Sequence, residues 1–426
     1  MKFFYAFLYI FIISFLFTFI TTTPSYEDYT AAFLDTIRIG SQSKQISLIL
    51  NTLSSKTVLF TNSKRPYAQQ IQRGRKSDVL IDKVSLEGEK IDSFPFNLEI
   101  DDTQLNNANI QGEFGLGIDK ENTCDLVDIL HDNKIIASKV IGLELQEEEG
   151  DKEDKFVLDL EPKVSDYTFC ELTSKKFLSS DDFYNEAWIS DISHIVIGST
   201  KKDLVWNNTI EVSSKVAFDS RTKHVYIPKD YMKYITNLWN INSIDCKIVH
   251  DKESDEQYFK CDKSAKSKIL DMPSIYFVID GYAFRLEAPD LFEIQIDKKY
   301  INCLIRFYDH DDDLWILGVP FLREYKTVFD YDEGRIGFKG GHVVNFKEEY
   351  EKWQKEVEEK EKEEEESSFF KNGFYSWEKI IMIIGAIIGT LIILYVMYWL
   401  YRNCRRETSK YHIELNEQYD KKEFYH

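Results

Sequence analysis

Two stretches of this chain, 168 positions apart, repeat one pattern. In each, an alternating apolar run ends in a short polar side chain and a turn rich in Ser and Thr. The first runs through Ile46, Leu48 and Leu50 into Asn51, Thr52, Leu53, Ser54 and Ser55. The second runs through Val216, Ala217 and Phe218 into Asp219, Ser220, Arg221, Thr222 and Lys223. An apolar, glycine-containing element follows each: Phe114-Gly115-Leu116-Gly117 after the first, Trp315-Ile316-Leu317-Gly318 after the second. A unit that recurs this way implies two similar halves with a cleft between them. The boundary between them is expected near residue 185.

The apolar residues between the ends mostly alternate, which is the period of a half-buried strand. Phe33, Ile37 and Ile39, then Ile46, Leu48 and Leu50, then Val58 and Phe60 carry it in the first part. Gly40 to Lys44 reads as a hairpin turn. Further strand-like runs fall at 79–86, 94–100, 140–145, 156–160, 194–197, 275–279 and 325–329. Helical periodicity is scarce, with 125–131 and 229–239 the best short candidates. The acidic run 147–154 reads as a loop. No alternation of strand and helix is present, so the expected class is all-β with a few short helices.

The chain ends point to export and a membrane. Residues 3–20 are an almost unbroken apolar run after Lys2, which reads as a signal peptide over 1–23, with an uncleaved anchor as the alternative. Residues 380–400 carry no charge and, as a helix, would cross a hydrocarbon core of about 30 Å. Arg402, Arg405 and Arg406 follow at once, the flank expected on the cytoplasmic side. The layout is then a 30–185 β lobe, a 186–345 β lobe, an acidic Glu/Lys stalk over 346–379, a membrane helix over 380–400 and a cytoplasmic tail over 401–426. This is a single-pass type I arrangement, with the main domain luminal or extracellular. Cys404, beside the membrane, is a site for acylation. A formal net charge of −20 argues against a nucleic-acid partner.

Five cysteines lie in the exported part: Cys124, Cys170, Cys246, Cys261 and Cys303. At most two disulfides can form, with one thiol left over. Asn207, in Asn207-Asn208-Thr209, is an acceptor for N-glycosylation. Lys64, Arg65, Arg73, Arg75 and Lys76 form a basic stretch without an acid, either a solvated loop or a docking site for an anionic partner. No cluster of His and Cys has metal-ligand spacing and no phosphate-cradling loop is present, so neither a metal nor a cofactor is expected.

At its two repeated stretches the chain resembles the pepsin family of aspartic peptidases. The run from Gln45 to Ser55 is similar to the family's first active-site region, where the pattern is Asp-Thr-Gly-Ser, and Val216 to Pro228 is similar to the second. Gly112-Glu-Phe-Gly-Leu-Gly117 looks like the family's Gly-Ile-Leu-Gly-Leu-Gly. Residues 188–198 look like the strand pair before the second loop, and Met272-Pro273-Ser274-Ile275 like its Leu-Pro-x-Ile strand. Trp315 to Arg323, running on to Phe338, is the most specific match. The resemblance covers about 30–341. It implies a bilobal acid-protease fold, a peptide-binding cleft, and a Cys261–Cys303 disulfide, with Cys124–Cys170 as a second pair and Cys246 left over.

The resemblance also exposes departures. Such enzymes hold two carboxylates that share one proton. The ionised one activates water and the neutral one donates to the substrate carbonyl. Asp219 keeps one of these seats, but Asn51 occupies the other, and an amide has no titratable proton. Leu53 and Arg221 stand where the family has glycine, and Lys223 where it has a small hydroxyl residue. Arg221 is placed to pair with Asp219. Between Phe60 and Val79 no Tyr-Gly flap is legible; Tyr67 is the one tyrosine there. Asp35 and Asp82 are the nearby acids that could be proposed to replace the missing one, though each reads as an exposed or turn-forming carboxylate. The first family-like strand begins soon after the expected signal cleavage, leaving no evident propeptide.

The expected function is a membrane-anchored aspartic-peptidase homologue without catalysis, binding a peptide or protein through the cleft. Its site residues are Asn51, Thr52, Leu53, Ser54, Asp219, Ser220, Arg221 and Thr222. The alternative is an active aspartic endopeptidase of the secretory pathway or cell surface. A purely structural surface protein is a third possibility.

Overall fold

The computed structural model describes residues 33–34, 38–39, 44–60, 79–86, 88–99, 110–146, 155–173, 184–198, 206–252, 254–293, 299–309 and 314–423. The expected signal peptide, the basic stretch 64–76 with Tyr67, the acidic run 147–154, Asp35 and the turn at 40–43 lie outside these residues. The chain divides into two bodies, 1–349 and 350–426.

The first body is mostly β, in three sheets. An eight-stranded sheet takes its strands from 33–115, and a twelve-stranded sheet from 189–345. A five-stranded sheet mixes the two halves of the chain, in the order Lys155–Asp159, Val140–Gln146, Lys326–Asp330, Arg335–Lys339, Thr168–Glu171. Strands from both halves therefore share one ladder, with Val328 opposite Gly142 and Cys170 opposite Ile336.

Each half contains the same three-strand unit. In the first, β1 (Ser47–Asn51) and β2 (Val58–Phe60) flank β3 (Ile110–Gly115), which is parallel to β1 and antiparallel to β2. In the second, β4 (Thr209–Phe218) and β5 (Val225–Pro228) flank β6 (Trp315–Leu317) with the same two senses. The loop from β1 to β2 carries Asn51 at its root; the loop from β4 to β5 carries Asp219. The recurrent glycine has one reason in both copies. A Cβ on Gly115 would run into the Ser54 and Lys56 carbonyls, and one on Gly318 into those of Thr222 and His224. The third strand leaves the sheet against the backbone of the loop, and only hydrogen fits there.

The core is continuous across the halves. Trp188 is fully buried, with ring centroids 5.1 Å from Phe329 and 4.9 Å from Tyr331. Its indole N–H and the Tyr331 hydroxyl both donate to the Leu116 carbonyl, at 2.7 and 2.8 Å. Both aromatic side chains are thus buried with their polar atoms satisfied. Helix Asp125–Asp132 buries Leu126, Val127 and Leu130, an i, i+1, i+4 stripe, and places Asp125 and Asp128 in its first turn, where the helix dipole favours acids. The second expected helix is Met232–Leu238, led in by a 3-10 turn at Lys229–Tyr231.

The expected disulfides require correction. The bond is Cys246–Cys261; Cys303, Cys124 and Cys170 are free and buried. Register explains the pairing. Cys246 and Cys261 face each other directly in the hairpin of strands Cys246–His250 and Gln257–Asp262, with Cα atoms 3.9 Å apart. On the far side of Gln257–Asp262, the residue opposite Cys261 is Ile301, so Cys303 lies out of register by two residues. Cys124 abuts the Gly115 carbonyl and Cys170 the Ile279 carbonyl, so these two sulfurs sit against different strands.

The last element is a helix, Phe346–Glu423. The acidic stretch after Phe346 is helical rather than extended. Within this helix, Lys379–Asn403 is long and apolar enough to cross a membrane, and none of that segment is buried. A face of exposed Ile, Leu, Met and Tyr this long is unfavourable in water.

Candidate functional site

The two loops meet tip to tip. Thr52 Oγ1 donates to the Phe218 carbonyl at 2.7 Å, and Ser220 Oγ donates to the Leu50 carbonyl at 2.7 Å. In return Ser220 N donates to Thr52 Oγ1 at 3.0 Å, and Thr52 N to Ser220 Oγ at 3.2 Å. Each hydroxyl thus both donates to and accepts from the backbone of the opposite half. Thr52 and Ser220 are fully buried, so this four-bond exchange ties the loop that carries Asn51 to the loop that carries Asp219.

Asn51 and Asp219 are held alike. Leu53 N donates to Asn51 Oδ1, and Arg221 N to Asp219 Oδ1, both at 2.9 Å. The first contact demands an acceptor, which sets the Asn51 amide orientation and turns Nδ2 outward. Nδ2 then donates to Glu113 Oε2 at 2.6 Å. Glu113, on β3, is the acid that sequence reasoning passed over. It lies inside a motif whose match rested on its glycines, and the legible signal was a charge at an otherwise apolar position.

Asp219 is answered by Arg221. The guanidinium Nε stands 3.3 Å from Asp219 Oδ1, with both side chains buried. A buried charge needs such a partner, and removing one side typically costs about 3–5 kcal/mol. At the equivalent place in the first loop, Leu53 packs in a small apolar cluster with Tyr184, Ala187, Ile189, Ala217, Tyr226, Leu314 and Ile316. Three of these, Ala217, Tyr226 and Ile316, come from the second half's three-strand unit. The Leu53 and Arg221 side chains therefore fill space around the paired loops. Asn51, Leu53, Asp219 and Arg221 are each 3–5% exposed.

Glu186, also missed from sequence, ties down the first loop. Its Oε2 accepts from Ser55 N at 2.7 Å, Ser55 Oγ at 2.9 Å and Ser54 Oγ at 3.4 Å. In the second loop Thr222 Oγ1 accepts from His224 N at 3.2 Å. Burial, with Arg306 and Lys223 adding to it, pushes the His224 imidazole well below its ordinary range and keeps it neutral. Asp82 lies on strand Val79–Leu86, opposite Phe94, and Asp35 lies outside the described residues.

Comparison with known proteins identifies the family. The family model described as eukaryotic aspartyl protease matches residues 61–340. Similar proteins include gastricsin of Oryctolagus cuniculus, 28% identical over 28% of this chain and 28% of that protein. Cathepsin D of Mus musculus is 34% identical over 18% of this chain and 20% of that protein. Plasmepsin IV of Plasmodium falciparum is 23% identical over 38% and 33% respectively. The matched segments span a third or less of these three relatives' length. The chain belongs to the eukaryotic aspartyl protease family.

Proposed function

We propose that this protein is a membrane-anchored aspartic-peptidase homologue that binds a peptide or protein in its cleft without cleaving it. One observation carries the reading. Asn51, at the position that the resemblance aligns with the first seat of the dyad, is an amide whose oxygen is occupied by Leu53 N and whose nitrogen is a donor. A group in that state cannot take a proton from water. The other seat supports it, since Asp219 is ion-paired to Arg221 and buried. The helix at Lys379–Asn403 supplies the anchor, and Arg402 at its end, with Arg405 and Arg406 after it, favours a luminal or extracellular main domain.

The test is cleavage of denatured protein between about pH 3 and 6, where such dyads work, by the full chain in detergent. No cleavage is expected. A variant with Asn51→Asp, Leu53→Gly, Glu113→Gln and Arg221→Gly should gain some. Cleavage by the unaltered chain that is blocked by a transition-state-mimic inhibitor and lost in Asp219→Ala would sink the reading.

A second reading, an active peptidase, has one observation in its favour. Glu113 supplies a carboxylate 2.6 Å from the Asn51 amide. If it serves as the first acid, Glu113→Gln abolishes cleavage as completely as Asp219→Ala does.

A further inference from the structure

Strand Cys246–His250 is an edge: among the described residues it pairs with Gln257–Asp262 and with no other strand. The ladder fixes which of its backbone groups are occupied. Asp262 N donates to the Asp245 carbonyl at 3.2 Å at one end, and Asp251 N to the Glu256 carbonyl at 2.8 Å at the other. Bonded pairs recur at every second residue, so Lys247 and Val249 turn their backbone groups inward, and Cys246, Ile248 and His250 turn theirs outward. The Cα separation of 3.9 Å at Cys246 and Cys261 agrees, being that of a narrow, non-bonded pair. Ile248 is 45% exposed, a large apolar side chain on an open edge of the kind that folded proteins usually cover. The outer face of the same hairpin is cationic. Lys247 stands directly across from Lys260, a like-charge pairing that costs stability. Lys260 and Lys299 both lie over the Tyr300 ring, with Nζ 4.5 and 5.1 Å from its centroid. Among the described residues none of these lysines forms an ion pair, on a chain whose net charge is −20.

We propose that the Cys246–His250 edge is a docking strand for an extended acidic segment of a partner protein, which adds to the sheet as a further strand. This surface uses no residue of the two paired loops and stands apart from the cleft reading. The outward backbone groups of Cys246, Ile248 and His250 supply the ladder bonds, and the partner's side chains alternate between the two faces. On one face an apolar residue covers Ile248. On the other, acids meet Lys247 and the lysines beyond it, which selects the partner by charge. A second copy of this strand, Cys246-Lys-Ile-Val-His250, would bring the lysines no acid. The Cys246–Cys261 bond clamps the base of the hairpin, so the edge is ordered before a partner arrives and less freedom is lost on binding.

The experiment selects phage-displayed random peptides on the full chain in lipid nanodiscs, after depletion on the Ile248→Pro variant. Proline there removes an outward N–H and leaves the hairpin's own bonds in place. The surviving peptides should alternate acidic and apolar residues. A synthetic copy should lose about tenfold or more in affinity when its acids become amides, and that loss should vanish in Lys247→Gln/Lys260→Gln. N-methylation of its amides one at a time should abolish binding at every second position, the mark of an added strand. This scan uses the unaltered chain. If thermal melts show Ile248→Pro to be unfolded, Lys247→Glu/Lys260→Glu replaces it in the depletion. No peptide surviving depletion, or one indifferent to N-methylation or to loss of its acids, overturns the proposal. So does self-association that Ile248→Pro abolishes, which makes the occupant a second copy. Binding of heparin fragments through the lysines, with no peptide selected, overturns it in favour of an anionic glycan.

Discussion

Placing an acid at position 51 should destabilise this protein at neutral pH. Asn51→Asp replaces a donor with an acceptor 2.6 Å from Glu113 Oε2. Two ionised carboxylates about 3 Å apart repel by about 5–6 kcal/mol at an effective dielectric of about 20. The pair avoids this by keeping one proton between them, which raises one folded-state pKa above its unfolded value near 4. A rise of about 2–3 units corresponds to roughly 3–4 kcal/mol at pH 7, trimmed toward about 2 by the partial exposure of Glu113.

The sign follows from proton counts. Between the unfolded pKa and the raised folded one, the folded state holds more protons. Stability therefore falls as pH rises through that window and returns below it. A loss of about 2–4 kcal/mol is large against a typical domain stability of about 5–15 kcal/mol. Denaturant unfolding of the wild type, Asn51→Asp and Asn51→Asp/Glu113→Gln at pH 4 and pH 7 measures it. The single variant should match wild type at the lower pH and fall behind at the higher. The double variant should recover at pH 7, because the amide introduced by Glu113→Gln can donate to the new aspartate. Equal stability of Asn51→Asp and wild type at both pH values would refute the argument.

Four further outcomes follow from the structure. Mass mapping under native conditions should find one disulfide, Cys246–Cys261. Cys124 and Cys303, whose thiols burial pushes up to about 12, should resist alkylation until the protein unfolds. Replacing both Cys246 and Cys261 with Ser should cost about 3 kcal/mol, the chain-entropy value for a loop of this size. Ser220→Ala leaves the Leu50 carbonyl and Thr52 N–H buried without this partner, so denaturant unfolding should register a loss of about 2–4 kcal/mol. Replacing Ile387 and Leu391 with Arg, at about 2.5–3.5 kcal/mol each in a membrane helix, should move the chain from the carbonate-resistant membrane pellet to the soluble fraction.

The parts of this architecture that were legible in sequence are those set by backbone sterics. Gly115 and Gly318 mark the repeated unit because no other residue fits where the third strand passes its loop. Asn51 and Asp219 were legible for the same reason, since each sits at the root of such a loop. The disulfide was not, because strand register decides it. Cys246 meets Cys261 through the alignment of one hairpin, and a family expectation about Cys303 could not reveal that alignment. Glu113 and Glu186 were missed on different grounds. Each acts on a residue distant in sequence, 62 positions for Glu113 and 131 for Glu186 with Ser55, and neither carries a local pattern.

The same contacts explain how this site holds together with an amide at position 51. The Thr52–Ser220 exchange bonds hydroxyls to backbone and needs no ionised group, so it joins the halves whatever stands at position 51. The substitutions around it are mutually dependent. Leu53 adds apolar contact to Ala217, Tyr226 and Ile316 across the halves, and Arg221 compensates a buried Asp219. The Asn51 amide bridges Leu53 N and Glu113 in a way that an aspartate could match only by sharing a proton. Reverting any one alone leaves its partner stranded: a cavity for Leu53→Gly, an uncompensated charge for Arg221→Gly, a strained acid pair for Asn51→Asp. Energies of such reversions should be strongly non-additive, with the combined variant less destabilised than its single changes sum to. In a site built this way every single change toward the family's pattern costs stability first.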